Sequence, residues 1–219
     1  MMKKLLLVLA ACNVFVGAAS AYNVTFDIQA DLLKTSTGAA MPTTGICLLV
    51  ASTSNAAFGT INAGASLTVG SFLDGGDDQI LFKMDLSTNA TPGSFVGAPS
   101  ILTQNFSANL DGNDPLVLYW FPTLSMASNT IPNTATQYGS FRTTTTQDGG
   151  QSWVMPGATT SGYRLYFLTQ DAAIYGPGSH LPAESRASFT TAVPEPSTYA
   201  MLLLAGLGGV VLRRRVKAA

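Results

Sequence analysis

From Tyr22 onward the chain alternates: Val24, Phe26, Ile28, Ala30 and Leu32 are apolar, and Thr25, Asp27, Gln29 and Asp31 stand between them. Successive side chains of a strand point to opposite faces, so this run predicts a half-buried strand with its polar face outward. Further strand-like runs are TGICLLVAS (44–52), QILFKMDLS (79–87), SILTQNFSANL (100–110), PLVLYWFP (115–122), QYGSFRTTTT (137–146) and SGYRLYFLTQ (161–170). Weaker candidates are AFGTIN (57–62) and RASFTTA (186–192). PLVLYWFP is apolar on both faces, which predicts a central, fully buried strand. The spacers LDGGDD, NATPGS, LDGNDP, QDGG and YGPGSHLP are rich in turn formers. No convincing 3.6-residue stripe occurs, and the one helical expectation is a short turn near Ala63–Ser66. Many short strands with turn signals between them predict an all-β fold, an antiparallel β-sandwich or jelly-roll-like domain.

The two ends break this pattern. MMKKLLLVLAACNVFVGAASA combines Lys3 and Lys4, an apolar stretch from Leu5 to Ala18, and the small residues Ala19-Ser20-Ala21. These are the parts of a secretory signal peptide cut after Ala21, with Ala19 and Ala21 as the small residues that fit the peptidase. Leu9-Ala10-Ala11-Cys12 also resembles a bacterial lipobox, which would make a lipidated Cys12 the mature N-terminus. Against that, VFVGAASA continues the apolar stretch beyond Cys12 to a good cleavage site. The expected division is a signal helix at 1–21, one strand-rich domain at 22–192, and a separate tail at 193–219.

Charge sharpens this division. Charged residues make up 11% of the chain, against roughly 25% in average soluble domains. Six of the eleven basic residues lie at the two ends, leaving five basic against eleven acidic residues between Tyr22 and Ala192. An acidic body without a basic patch excludes nucleic acid as the expected partner. Removal of the leader takes Cys12 with it and leaves Cys47 alone among apolar neighbours, so an intrachain disulfide is not expected.

Few residues announce chemistry. The chain has no G-x-S-x-G elbow, no H-E-x-x-H, no phosphate loop and no paired C-x-x-C. The lone histidine, His180 in GPGSHLP, reads as a surface-loop residue. Two acidic turns, Asp74-Gly75-Gly76-Asp77-Asp78 and Asp111-Gly112-Asn113-Asp114, offer hard oxygens of the kind calcium takes. Asp74, Asp77, Asp78, Asp111 and Asp114 are therefore weak calcium candidates; each loop lacks the glutamate that closes an EF-hand, and ordinary hairpin chemistry is the preferred account of both turns. No cofactor is expected. Tyr119, Trp120, Phe121, Trp153, Tyr163, Tyr166 and Phe167 could stack on sugar rings, although their strand spacing fits a core. Trp153, set among turn formers in GGQSWVMPG, is the best candidate for an exposed one.

The tail reads AVPEPSTYAMLLLAGLGGVVLRRRVKAA. Tyr199 to Leu212 carries no charge, and as a helix these residues would be about 21 Å long, short of a hydrocarbon core of about 30 Å. Arginines can snorkel to extend the usable length, and basic residues after an apolar span stay cytoplasmic. The order Pro194-Glu195-Pro196, a short apolar helix with Gly206, Gly208 and Gly209, then Arg213, Arg214 and Arg215 resembles the PEP-CTERM sorting signal of Gram-negative bacteria over about residues 193–215. The resemblance implies recognition by exosortase, an integral-membrane transpeptidase-like protein. Pro194, Glu195 and Pro196 would be the sorting motif, and Arg213–Arg215 the stop that orients the membrane-held helix. It further implies a tail that anchors the protein transiently in the inner membrane and is then removed, leaving the body at the cell surface or in extracellular matrix.

The resemblance does not reach residues 22–192. The expected role is a non-enzymatic structural or adhesive component associated with exopolysaccharide or biofilm. A carbohydrate-binding module is the alternative, followed by a secreted hydrolase using aspartates or His180.

Overall fold

The computed structural model describes residues 21–54, 57–74, 76–87, 91–106, 110–132, 136–169, 180 and 184–190. The signal helix and the sorting tail lie outside the described residues, apart from Ala21. The described residues are nearly all strand and turn, in two sheets. Their strands are β1 (Asn23–Ala30), β2 (Ile46–Ser52), β3 (Asp78–Asp85), β4 (Phe95–Gly97), β5 (Ser100–Leu102), β6 (Leu116–Phe121), β7 (Thr136–Phe141), β8 (Thr160–Phe167) and β9 (Ser188–Thr190).

The first sheet is built on β1. Strand β8 runs parallel along one edge of β1, while β4 and β5 pair antiparallel with its two ends along the other edge. Between them the Phe26 N–H donates to the Pro99 carbonyl at 2.9 Å, so β4 and β5 act as one strand interrupted at Ala98-Pro99. Proline has no N–H to give the ladder, which explains the interruption. The second sheet is antiparallel throughout, in the order β3-β2-β6-β7-β9. The parallel β1–β8 pair makes the first sheet mixed, a departure from the antiparallel expectation that period-two patterning could not foresee.

One apolar cluster joins the sheets. Val24, Phe26, Ile28 and Ala30 of β1 and Leu165 and Phe167 of β8 meet Cys47, Leu49 and Ala51 of β2 and Leu116, Leu118 and Trp120 of β6. Desolvation in this cluster raises the Cys47 thiol pKa far above the ordinary range, which keeps the thiol protonated. The opposite side chains of β2 and β6 are just as buried. Ile46, Leu48, Val50, Val117, Tyr119 and Phe121 form a second cluster, covered by Ile61, Leu67, Leu73, Leu124 and Ile131 from the connections 57–77 and 122–132. These covers are tied to each other through the backbone, with Leu67 N–H donating to Asn129 O and Ile131 N–H to Ala65 O, both at 2.9 Å. Central strands apolar on both faces therefore find cover on both, as PLVLYWFP predicts.

Other expectations give way to packing. The alternation of β1 stops at Asp31: Leu32 takes a positive φ of 49° and is half-buried, and Leu33 takes the buried place. Ala63–Ser66 is a turn rather than a helix, and AFGTIN is cover rather than strand. The run 100–110 keeps strand geometry only to Leu102, then turns through a 3-10 segment, Thr103–Asn105, the one helical element among the described residues. Within them no helix is long and apolar enough to cross a membrane.

The tightest constraint lies where β6 meets β7. Trp120 is fully buried and pairs with Gly139, where an added Cβ would stand 2.0 Å from the indole ring. Gly139→Ala is expected to destabilise the protein by about 1–3 kcal/mol through overpacking, read as a lower urea midpoint at unchanged slope. An unaltered midpoint would show that the indole can shift aside.

Candidate functional site

The acidic loop before β3 is built by its own backbone. Asp74 Oδ1 accepts N–H groups from Gly76 at 2.9 Å and from Asp77 and Asp78 at 3.2 Å each. Burial works against ionisation of Asp74, but these donors outweigh it and hold the carboxyl below its ordinary value. Asp77 Oδ2 accepts hydroxyls from Ser54 at 2.7 Å and Ser52 at 3.2 Å. Asp78 Oδ2 accepts the Gly59 N–H at 2.6 Å, which ties the start of the cover to the start of β3. Gly59 has no spare room, because a Cβ there would lie 2.8 Å from Asp74 Oδ2.

The three carboxylates each present an oxygen within 4.8 Å of the others. Burial, reinforced by the charges of Asp74 and Asp77, pushes the Asp78 carboxyl up to about 6, although the Gly59 N–H and the nearby Ser52 hydroxyl favour its ionised form. The second acidic turn is different. Asp114 Oδ2 accepts the Asp111 N–H at 2.8 Å, Asp114 N–H returns to Asp111 O at 3.2 Å, and Asn113 and Met155 stitch the turn to residues 153–157. Among the described residues, only Asp74, Asp77 and Asp78 gather as three potential ligands.

Beside this loop the outer face of the second sheet opens into a groove of about 790 Å³. Phe58 and Gly59 form one wall; Tyr119, Tyr138, Ser140, Arg142 and Glu184 line the rest. The Arg142 guanidinium lies 5.2 Å above the Phe58 ring, and Tyr119 meets Phe58 and Tyr138 edge-on. Aromatic faces beside charged groups suit a hydroxyl-rich ligand.

The strand spacing of the aromatics fits a core, and most of them lie in it; Trp153, the candidate for an exposed one, lies there too. Trp153 is only 2% exposed, wedged edge-on against Phe141, and Trp120, Phe121 and Phe167 are fully buried. Tyr163 is buried as well, and Tyr166 donates to Asp27 at 2.7 Å. An exposed Trp153 as a sugar platform is therefore overturned: backbone pairing of Leu116 N–H with Trp153 O, at 2.8 Å, draws this glycine-flanked segment into the core. Phe58 and Tyr138 escaped notice because nothing in their local sequence marks a groove formed between a cover loop and a strand.

His180 is likewise not a surface residue. It is 8% exposed, packs edge-on against Phe141 and Phe167, and stands 3.4 Å from Asp148 and 3.3 Å from Glu184 through its two ring nitrogens. Asp148 Oδ2 also accepts the Leu168 N–H at 2.9 Å. The imidazole is thus held between two carboxylates, one at each ring nitrogen.

Asp31, at the end of β1, belongs to the same buried polar corner. Its Oδ1 accepts the Thr169 N–H at 2.6 Å. Burial raises its carboxyl pKa, with a smaller push from Asp148, against the pull of Thr169. A folded-state value above the unfolded one means that the native protein holds the extra proton between the two. Stability from this group is therefore greatest below about pH 4 and falls as pH rises through the raised value. Asp31→Asn keeps an acceptor for Thr169 and removes the titration. Its stability relative to the parent protein is expected to increase from pH 3.5 to pH 7 in urea unfolding; a difference independent of pH would contradict this.

No curated protein and no solved structure matches the chain. One family model does: residues 192–215, a short C-terminal part of a chain of 219, match the PEP-CTERM protein-sorting motif. This protein therefore carries a PEP-CTERM sorting motif as its C-terminal tail.

Proposed function

We propose that this protein is a non-enzymatic structural or adhesive component of the cell surface or extracellular matrix, lying beside exopolysaccharide in biofilm. The observation that carries this reading is the motif at 192–215, which marks an exported protein processed by exosortase. Pro194, Glu195 and Pro196 present an extended segment for recognition, because proline fixes φ and biases the preceding residue away from helix. The uncharged run 199–212 holds the tail in the inner membrane, and Arg213–Arg215 keep its end cytoplasmic. Cleavage near the triplet then releases the body. A span this short suits a temporary hold better than a permanent anchor.

A second reading, direct binding of polysaccharide, is favoured by the groove of Phe58, Tyr138, Arg142 and Glu184. It replaces the platform that a buried Trp153 cannot provide.

Intact-mass measurement of protein recovered from the cell surface tests the sorting step. The expected mass lacks Arg213–Arg215, and Glu195→Ala is expected to accumulate uncleaved in the membrane fraction. Surface protein that keeps its arginines would leave a plain single-pass anchor. For the groove, Tyr138→Ala is expected to weaken retention on immobilised exopolysaccharide about tenfold, a loss of about 1.4 kcal/mol. Elution identical to that of the parent protein would remove the groove from consideration.

A further inference from the structure

The Asp74–Asp78 loop concentrates negative charge without using all of it. Asp78 is 1% exposed, and its Oδ1 is buried with no hydrogen-bond partner. The nearby Ser52 hydroxyl makes no hydrogen bond to Oδ1; its one hydrogen lies within reach of Asp77 Oδ2 at 3.2 Å or Ala57 O at 3.3 Å. A buried carboxylate oxygen left unpaired beside two further carboxylates is costly in the apo protein. A cation would supply what Oδ1 lacks and reverse the repulsion among the three groups.

We propose that Asp74, Asp77 and Asp78 form a binding site for a divalent cation, with calcium as the preferred ion. The three carboxylates lie near enough to share one ion, an oxygen of each being within 4.8 Å of the others. The choice of ion follows from ligand number: calcium takes several carboxylates into one flexible shell, whereas magnesium is usually held by one or two. The all-oxygen donor set excludes a preference for soft metals. Calcium needs six to eight oxygens in all; Ser54, Gly59 and Gly76 beside the carboxylates are exposed, so water can supply part of the shell.

The site also has a structural consequence. Asp78 holds Gly59, Asp74 O accepts the Asn62 side chain at 2.6 Å, and Leu73 N–H pairs with Asp78 O at 3.0 Å. A cation at this point therefore clamps both ends of the cover over β2 and β6, together with the Phe58–Gly59 wall of the groove. The proposal stands on the loop alone and does not depend on the sorting reading or on the groove's ligand.

The test uses the full-length chain in detergent, stripped with a chelator and titrated with calcium or magnesium by calorimetry, with thermal unfolding in parallel. Calcium is expected to bind, and at a hundredfold excess over its Kd to raise the unfolding midpoint by roughly 5–10 °C, with magnesium giving a smaller rise. Asp78→Asn is expected to lose the calcium shift while its metal-free midpoint equals or exceeds that of the parent chain, because like-charge repulsion is relieved. A purely structural carboxylate would instead lower the midpoint with and without calcium. Should Asp78→Asn fail to fold, Asp77→Asn provides the same comparison, and Asp111→Asn is expected to keep the full shift. No binding by the parent chain up to millimolar calcium, or a full shift retained in the Asp77 or Asp78 variant, overturns the proposal.

Discussion

Two neighbouring strands that are apolar on both faces set the terms for the rest of this fold. β2 and β6 bury Cys47, Leu49, Leu118 and Trp120 on one side and Ile46, Leu48, Val117 and Tyr119 on the other. A fully buried aliphatic or aromatic side chain stabilises the fold by about 1.5–3 kcal/mol, so neither face can be left to water. The first sheet covers the inner face. Among the described residues no further sheet covers the outer one, and irregular chain from 57–77 and 122–132 takes its place. Irregular backbone over a core carries polar groups that need partners, which is why these covers bond to each other at Leu67–Asn129 and Ile131–Ala65.

The acidic loop follows from the same constraint. The cover must leave the sheet near Ser52 and return to it at Asp78, and side-chain carboxylates make both joins. Asp74 answers three backbone donors within one turn, where a neutral side chain could not accept as strongly. Closing this seam buries Asp78 and brings like charges beside it, and burial first, then those charges, raises its carboxyl. The groove is a by-product of the seam, since the wall carrying Phe58 ends where Gly59 is tied down.

Body and tail divide the protein's physics. In the tail, meaning lies in linear order: a proline-bearing triplet, an apolar run and arginines follow one another as a sorting motif. Within the body, meaning lies in convergence. Asp148 and Glu184, 36 residues apart in sequence, close on His180 only because β8 and the segment after it return to one corner of the fold.

Strand content, the doubly buried character of PLVLYWFP and the sorting motif were legible in the sequence, because each depends on periodicity or on contiguous order. Period two reports which residues share a face, but not which strand lies alongside, so the parallel pairing of β1 with β8 and the second cover stayed hidden. Burial of Trp153 and His180 was equally out of reach: glycine and proline neighbours mark a turn, not whether that turn is pressed onto a core. Both acidic loops spell the same promise in sequence. The fold turns one into a tight turn closed by the Asp114 carboxylate and leaves the other with a buried oxygen unpaired. The sequence by itself determined that this chain carries a sorting motif and that its body is made of strands. Only tertiary structure decided which aromatics are hidden and which carboxylates meet, because those depend on distances between segments far apart along the chain.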